Sequence, residues 1–301
     1  MTIPDTPGIS MSSAELPLPQ PEACWLTAAD GEQLLFRLWR GVQGQPVVVY
    51  FHGIEGHSRW FDQTAAYLNR LGMSVYVPDR RGAGANAQER GHLGGHKLFL
   101  SDMELMVSRA RLDHPQAALF LVGNCWGAKG TIVLAAGAAA ARYGIAGVAL
   151  TSPAVAVRVD VSLATKLAIF AGWIIRSRHK FPIPLTAEMF TDNPRYLDFI
   201  ARDRLRLTEA TGCFFVASTV LTWLSSRCAA RLRVPLLVLQ SGRDQIVDVD
   251  GVRKWFDRVA SGNKSMRLFP ECEHSLDFDC RPDDYLAALS GWLSETAGRG
   301  A

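Results

Sequence analysis

Several common signatures are absent from this chain of 301 residues. None of its six cysteines stands in a Cys-x-x-Cys pair or at a spacing typical of metal ligands, and a chain of this length does not need disulfides. We therefore predict no metal site and no cofactor, and a reducing cytoplasm as the compartment. The 32 basic and 29 acidic residues are mixed along the chain, without the one-sided basic run typical of a nucleic-acid surface. No nucleic-acid partner is expected.

Long apolar runs are also absent. The most apolar stretch, 167–175, is too short to span a bilayer and is bounded by Lys166 and Arg176. The N-terminal residues include five prolines and lack the charged start and apolar block of a signal peptide. We therefore predict a flexible tail over 1–22 and no stable insertion into a membrane.

Short apolar runs alternate with segments of helical length through most of the chain. The runs are 47–51, 74–77, 118–122, 147–150, 235–240 and 266–269, and the helical segments are 60–71, 98–111, 127–142, 252–259 and 282–293. This alternation predicts an α/β fold, in which a mostly parallel central sheet is flanked by helices. A hairpin is predicted over 24–40, since Asp30-Gly31 suits the tight turn between two strands.

The alternation stops between 155 and 231. This segment has no convincing strand and contains three helix-like pieces, at 161–176, 187–199 and 214–227. It predicts an inserted helical cap over the strand ends, where ligands bind in open α/β sheets. The core domain would then comprise 23–154 and 232–301. The apolar faces of the first and third cap helices suit a tunnel for an alkyl chain, although packing on the core would also explain them.

The sequence Gly123-Asn124-Cys125-Trp126-Gly127 follows one of the apolar runs and precedes a helical segment. Glycines on both sides of a central residue are typical of a nucleophile elbow, a strained strand-to-helix turn that leaves no room for side chains there. The same five residues could also form a loop around a buried thiol. The elbow reading predicts Cys125 as a nucleophile.

A cysteine nucleophile needs a base, and the base needs an acid that holds its ring in the correct tautomer. Asp244 and His274 follow the last two apolar runs, which gives the chain order nucleophile, acid, base. Asp244 could instead cap its own turn. Asp248 and Asp250 are alternatives for the acid, but their position favours capping of the following helix.

Acyl transfer also requires backbone N–H groups that stabilise an oxyanion. One is expected from Trp126, the residue after the nucleophile. The second is expected from Ile54, in the loop His52-Gly53-Ile54-Glu55-Gly56-His57-Ser58, where Gly53 lets the backbone approach the substrate. His52 and His57 could be read as metal ligands, but no further ligands cluster around them in the sequence.

These segments, together with Asp79-Arg80-Arg81-Gly82, resemble the α/β-hydrolase superfamily. The chain is most similar to the monoacylglycerol lipase and lysophospholipase branch, also described as serine aminopeptidase S33-like, over roughly residues 25 to 295. The resemblance implies an α/β-hydrolase fold with a cap, a triad of Cys125, Asp244 and His274, and an oxyanion hole from Ile54 and Trp126. It assigns a scaffold role to the turn around Arg80.

The departure from the family pattern is the nucleophile, which is serine in that family. A thiol beside an imidazole ionises more readily than a hydroxyl, and its acyl-enzyme is a thioester. Such an intermediate forms almost without energy change from an acyl thioester, but uphill from a simple ester. The sequence therefore predicts hydrolysis of a thioester or ester with a medium or long acyl chain. Coenzyme A or an acyl carrier protein would be the carrier of a thioester substrate.

Two alternatives remain open from the sequence. An acyltransferase would use the same intermediate and pass the acyl group to an acceptor other than water. A non-catalytic binding protein would keep the fold around an inert Cys125. The three arginines at 202, 204 and 206 could meet phosphates or an acidic carrier, although a solvated face is the simpler reading.

Overall fold

The computed structural model describes residues 18–86, 88–279 and 282–299. Ten strands are formed by the described residues: β1 (Glu22–Thr27), β2 (Gln33–Trp39), β3 (Val47–Phe51), β4 (Ser74–Pro78), β5 (Leu119–Asn124), β6 (Ile145–Thr151), β7 (Lys180–Pro182), β8 (Glu209–Thr211), β9 (Leu236–Ser241) and β10 (Lys264–Phe269). Nine α-helices accompany them: α1 (Asp62–Arg70), α2 (His96–Asp113), α3 (Gly127–Ala135), α4 (Ala138–Arg142), α5 (Leu163–Ile174), α6 (Pro194–Arg202), α7 (Gly212–Cys228), α8 (Val249–Asp257) and α9 (Pro282–Gly298).

Eight of the strands form one sheet in the order β1-β2-β4-β3-β5-β6-β9-β10. Every pairing from β4 to β10 is parallel, and β2 pairs antiparallel with β1 and β4. All residues of β3, β5 and β9 are buried, because helices cover both faces of the sheet. The mostly parallel sheet predicted from the apolar runs is therefore confirmed.

Consecutive residues of β3 reach the two helical layers. Tyr50 lies 3.3 Å from the hydroxyl of Tyr285 on α9, whereas Phe51 lines a cavity with Phe99 and Met103 of α2. Neighbouring residues of a strand point to opposite faces, so α2 and α9 lie on opposite sides of the sheet. The packing of α3 beside α2 places the elbow helix in the same layer as α2.

The N-terminal hairpin is confirmed, with Thr27 opposite Gln33 and Gly31 at a φ of 86° in the turn. Two boundaries differ from the prediction. The predicted tail covers residues 1–22, of which 1–17 lie outside the described residues. In the remaining part, Leu18 packs against the core and Glu22 begins β1. The helix predicted over 127–142 is interrupted at Gly137 and forms α3 and α4.

The segment between β6 and β9 contains α5, α6 and α7, but also β7 and β8, which pair antiparallel. The prediction that this segment holds no strand is therefore wrong. Each of these strands has only three residues, too short to give an alternating pattern. Helix 212–231 is the one described helix long and apolar enough to cross a membrane, with a mean hydropathy of 1.3. It packs against α3 and α5 here.

Candidate active site

Cys125 stands in the turn between β5 and α3, with a φ of 48°. This left-handed conformation is uncommon for a residue other than glycine and is a form of backbone strain found at functional sites. A Cβ atom at Gly123 would lie 2.7 Å from the Cα of Ala128, and one at Gly127 would lie 2.5 Å from the carbonyl oxygen of Phe51. Both positions therefore require glycine, which is the geometry of a nucleophile elbow.

His274 and Asp244 form a buried pair. The Nδ1 atom of the histidine lies 2.9 Å from Oδ1 and 2.8 Å from Oδ2 of the aspartate, and both side chains are almost completely buried. The two residues follow β10 and β9, which are adjacent parallel strands. Their carboxyl ends meet at the same edge of the sheet, and this brings residues 30 positions apart into contact.

Four further donors surround the Asp244 carboxylate. Oδ1 accepts the amides of Ile246 and Val247 at 2.9 and 2.8 Å, while Oδ2 accepts Gln240 Nε2 and Ser241 Oγ, each at 3.1 Å. Burial raises the pKa of Asp244, but the charge and hydrogen bond of His274 and the hydrogen bonds from the amides of Val247 and Ile246 lower it more, so the net shift is downward. The carboxylate is thereby held ionised next to the imidazole.

Neither alternative acid reaches His274. The side chain of Asp248 is 43% exposed and lies 3.9 Å from Arg158, and Asp250 is exposed in the first turn of α8. Asp248 occupies the N-cap position of that helix, but its side chain makes no capping hydrogen bond. The expected cap interaction is therefore not made by Asp248.

The other ring nitrogen of His274, Nε2, is buried and has no nitrogen or oxygen partner among the described residues. Burial alone would lower the pKa of His274, but the negative charges of Asp244 and of a Cys125 thiolate raise it, and the result lies well above the usual value. The imidazole can therefore accept a proton and remain charged. Cys125 is itself only 2% exposed.

The loop after β3 approaches the elbow closely. A Cβ atom at Gly53 would lie 2.9 Å from Asn124 Oδ1 and 3.3 Å from the Cβ of Cys125, so a larger residue there would displace the elbow or the loop. Ile54, Cys125 and Trp126 line one pocket. The backbone N–H groups of Ile54 and Trp126 donate to no acceptor in the part of the chain that the structure describes. The arrangement offers two free donors beside the thiol.

Two side chains fix the orientation of the peptide group between Gly53 and Ile54. The Gly53 carbonyl accepts from His52 Nδ1 at 2.8 Å and from Arg80 Nη1 at 3.3 Å. Because the peptide is trans, the Ile54 N–H points the opposite way, away from Arg80. The guanidinium also donates to the Ile54 carbonyl at 3.0 Å and lies 4.7 Å from the centre of the Trp126 ring. The resemblance assigned a scaffold role to the turn around Arg80, and the contacts of its side chain with Ile54 and Trp126 were not expected from the sequence.

His52 and His57 are both engaged in protein hydrogen bonds. The Arg80 amide donates to His52 Nε2 at 2.9 Å, which leaves Nδ1 to donate to Gly53, and burial and the charge of Arg80 lower the pKa of His52 to about 3. His57 Nε2 lies 2.8 Å from Asp203 Oδ2. No group of three or more His, Cys, Asp or Glu side chains in residues 18–86, 88–279 and 282–299 could hold a metal ion.

The loop after β3 also contacts the segment between β6 and β9. Arg206 pairs with the buried Glu55 at 2.7 Å, and the Leu207 amide donates to the Glu55 carbonyl at 3.0 Å. The expectation of a solvated arginine face is therefore wrong for Arg206, whose side chain is 14% exposed. Arg202 and Arg204 are exposed, as expected.

The pocket above Cys125 has a volume of about 610 Å³. Both predicted tunnel helices contribute to it, together with the loop before α5. Its apolar lining includes Val161, Ile169, Phe170, Ile183, Leu185, Phe215, Val216 and Val220. Its polar lining residues are Lys129, Asp160, Lys166, Ser218, Thr219 and Thr222, of which Lys129 and Ser218 were not expected from the sequence.

Comparison with known proteins places the chain in a family. The family described as serine aminopeptidase, S33, matches residues 43–281. The chain belongs to this family. It is 26% identical over 261 residues to phospholipase YtpA of Bacillus subtilis, covering 85% of this chain and 98% of the relative. It is also 26% identical over 265 residues to monoglyceride lipase of Homo sapiens, covering 86% and 85%.

Solved structures of two lipases share the fold. A soluble variant of monoglyceride lipase from Saccharomyces cerevisiae superposes with a TM-score of 0.82 at 15% identity, covering 97% of this chain and 99% of that one. Monoacylglycerol lipase from Paleococcus ferrophilus gives a TM-score of 0.76 at 22% identity, covering 87% and 99%. The predicted α/β-hydrolase fold and the resemblance to the monoacylglycerol lipase branch are confirmed. The protein is a hydrolase of this superfamily.

Proposed function

We propose that the protein hydrolyses an ester or thioester of a medium or long acyl chain, with Cys125 as nucleophile, His274 as base and Asp244 as the acid that orients the base. The observation that carries this proposal is the state of the His274 ring. Its Nδ1 atom is fixed by Asp244, and its Nε2 atom is buried without an oxygen or nitrogen partner among the described residues. A ring held in this way is set to exchange a proton with a nucleophile.

In the first step, the Cys125 thiol gives its proton to His274 Nε2, and the sulfur attacks the acyl carbonyl carbon. The carbonyl electron pair moves to oxygen, which accepts the N–H groups of Ile54 and Trp126. The oxyanion then collapses and expels the leaving alcohol or thiol, to which His274 returns the proton. The product is a thioester between the acyl group and Sγ of Cys125.

In the second step, water attacks the thioester carbonyl while His274 accepts one of its protons. A second oxyanion forms at the same two amides. Its collapse breaks the carbon–sulfur bond, releases the acid, and leaves Cys125 to recover the proton from the imidazolium. Asp244 stays ionised throughout, because its role is to stabilise the imidazolium and hold its orientation.

The form of the pocket supports an acyl substrate with an alkyl chain. Its lining is largely apolar, and its volume lies within the range typical of small-molecule sites. Leu163, Leu167 and Phe170 expose apolar surface on α5, the helix that contributes to this lining. The lipases and the phospholipase among the relatives also act on acyl lipids by their names, which supports an ester as one substrate class.

Sulfur as the nucleophile favours a thioester over an ester, by the energetics of the intermediate given above. Coenzyme A or an acyl carrier protein would deliver such a substrate. The test is intact-mass detection of an acyl adduct on Cys125 with matched octanoyl esters and thioesters, repeated on Cys125→Ser. We expect the serine variant to gain relative activity on esters. If no adduct forms on Cys125 with either the esters or the thioesters, the proposal is overturned.

The same purified protein can distinguish hydrolysis from the two alternatives, acyl transfer and binding without catalysis. The near-complete burial of Cys125 and His274 keeps the acyltransferase in consideration, because such a site can exclude bulk water. Turnover that depends on an added alcohol or amine, with negligible free acid, would replace hydrolysis by transfer. If iodoacetamide labels Cys125 no faster than the other cysteines, and His274→Ala changes nothing, the protein is a binding protein.

A further inference from the structure

Lys129 is a buried lysine in the wall of the pocket that contains Cys125. Only 3% of the residue is exposed, and it lines the pocket together with the nucleophile. Its Nζ atom donates to Ser218 Oγ on α7 at 3.2 Å, and the same oxygen accepts Trp126 Nε1 at 2.8 Å. The lysine thus belongs to a small polar group in a largely apolar lining.

This ammonium group has no carboxylate partner. Within the described residues, no Asp or Glu oxygen lies within 4 Å of Nζ, and the only charge that influences its pKa is that of Cys125. By contrast, Lys166, the other lysine in the lining, pairs with Asp160 at 2.6 Å and is half exposed. The Cys125 thiolate is the one negative charge that acts on it, and acylation of the sulfur removes that charge. A buried ammonium without a carboxylate partner is then costly, which favours an anion supplied by the ligand.

The position of Lys129 in α3 adds to this cost. The helix begins at Gly127, so Lys129 lies in its first turn, where the helix dipole is positive and favours anions. Burial lowers the pKa of Lys129 to about 8, which still leaves the side chain mostly charged at neutral pH. Packing alone would be better served by an uncharged side chain of the same length, such as methionine.

We infer that Lys129 and Ser218 form an anion-binding subsite that recognises a carboxylate or similar acidic group carried by the substrate. This inference rests on the proposed function, since it names the class of acyl substrate that the same pocket accepts. The substrate would be an ester or thioester with a second, negatively charged group. That group could lie on the acyl chain or on the leaving group.

The donors available match a carboxylate. An ammonium has three N–H bonds, of which Ser218 receives one, so two remain for a ligand. The Ser218 hydroxyl accepts from both Lys129 and Trp126, and its own hydrogen is therefore free to donate. The burial of Lys129 keeps most solvent away from its ammonium group, which strengthens the attraction between the ammonium and a carboxylate.

A kinetic comparison tests the subsite. The probes are thioesters of N-acetylcysteamine, a neutral thiol, with monocarboxylic acids and with the dicarboxylic acids of equal length, from five to eight carbons. An octanoyl thioester of 3-mercaptopropionate places the carboxylate in the leaving group instead. We expect the ratio of kcat/KM for the acidic over the neutral substrate to fall by about ten-fold or more in Lys129→Met. Lys129→Arg, which keeps the charge, should retain more of the ratio.

Lys180→Met is the matched control, because Lys180 is paired with Glu209 in the cap and does not line the pocket. This variant should keep the wild-type ratio. If Lys129→Met lowers kcat/KM equally for acidic and neutral substrates, the lysine acts on the Cys125 thiolate and the subsite is overturned. A wild-type enzyme without preference for any acidic substrate would overturn it as well.

A second measurement does not depend on turnover. Adipamate, the monoamide of adipic acid, and the neutral hexanamide differ by one carboxylate, and each is tested for protection of Cys125 against alkylation by iodoacetamide. Wild type should be protected by adipamate at about ten-fold lower concentration than by hexanamide, and Lys129→Met should lose this difference. Equal protection of the wild type by both would contradict the subsite. If the protection holds and no thioester or ester is cleaved, the proposed function fails and the subsite stands.

Folding of the variants is checked by thermal unfolding. Replacement of an unpaired buried charge by an apolar side chain of similar volume is often neutral or stabilising, so Lys129→Met should melt no lower than wild type. Should it fail to fold, the Ser218→Ala variant gives the same comparison, because it removes one donor of the subsite and leaves the lysine. Its ratio of acidic to neutral kcat/KM should also fall.

Discussion

The guanidinium of Arg80 lies 4.7 Å from the centre of the Trp126 ring. This contact connects the loop after β3 with the turn at Cys125, the two segments of the proposed oxyanion hole. The same group donates to the carbonyls of Gly53 and Ile54. One buried side chain therefore contacts both Trp126, the residue after Cys125, and the peptide group between Gly53 and Ile54. Its loss should allow that peptide group to rotate.

The first prediction follows from this contact. Arg80→Met should lower kcat by about 10- to 100-fold, less than removal of an oxyanion donor itself, with a smaller change in KM. Steady-state kinetics on an octanoyl thioester measure both. Arg80→Lys should recover part of kcat, since one ammonium can still donate to the carbonyls.

The neighbouring arginine provides the control for that prediction. Arg81 pairs with Asp30, Glu32 and Asp102, away from the elbow. Arg81→Met should lower the melting temperature and leave kcat of the folded protein close to wild type. A fall of kcat in Arg81→Met as large as in Arg80→Met would show that the loss comes from general loosening of the fold.

Asp244→Asn should reduce kcat by about a factor of 10³ to 10⁴, because an amide cannot stabilise the imidazolium and favours the wrong tautomer of His274. Asp248→Asn is its control, since Asp248 is half exposed and does not reach His274. Both variants are measured on the same thioester. Comparable activity of the two would assign the acid to another residue.

Gly53→Ala should reduce activity strongly while the protein still folds. The added methyl would lie 2.9 Å from Asn124 Oδ1 and 3.3 Å from the Cβ of Cys125, so the loop or the elbow must shift. Gly262→Ala is the control, because an added methyl there meets nothing within 4 Å. Kinetics and thermal unfolding of both variants test the difference; unchanged kcat in Gly53→Ala would mean that the loop position is not critical.

Asp277 predicts a pH dependence of stability. It is buried beside Thr64, Tyr50 and Tyr285, and burial raises its pKa to about 7, from about 4 in an unfolded chain. The folded state therefore holds a proton on Asp277 that the unfolded state releases. The contribution of this proton to the free energy of unfolding is full below pH 4 and is lost as the pH rises to 7. The loss amounts to at most about 4 kcal/mol, from three pKa units.

Asp277→Asn mimics the protonated side chain and should remove this dependence. We expect the variant to be more stable than wild type at pH 8 and nearly equal to it at pH 4.5. Urea unfolding at a series of pH values gives the difference in the free energy of unfolding. A difference that does not change with pH would indicate that Asp277 is ionised in the fold.

Local sequence determined those features that depend on a few neighbouring residues. Gly123 and Gly127 flank Cys125 because the backbone of an elbow has no room for side chains, and this requirement can be read from five consecutive letters. The central strands were predicted for a similar reason. A strand that is buried on both faces needs an uninterrupted apolar run, and β3 has one.

The tertiary structure decided which distant residues meet. Asp244, Asp248 and Asp250 are equivalent candidates by type, and only the register of β9 beside β10 places Asp244 against His274. The contacts of Arg80 with Ile54, and of Lys129 with Ser218, join segments 26 and 89 residues apart. No local pattern encodes such pairs, because each of these side chains is also common in turns and on solvated surfaces. The sequence by itself determined the glycine-flanked turn at Cys125 and pointed to Asp244 and His274 by their order in the chain. The contact between those two side chains was decided by the tertiary structure, since hydrogen bonds between distant segments exist only once the sheet has packed.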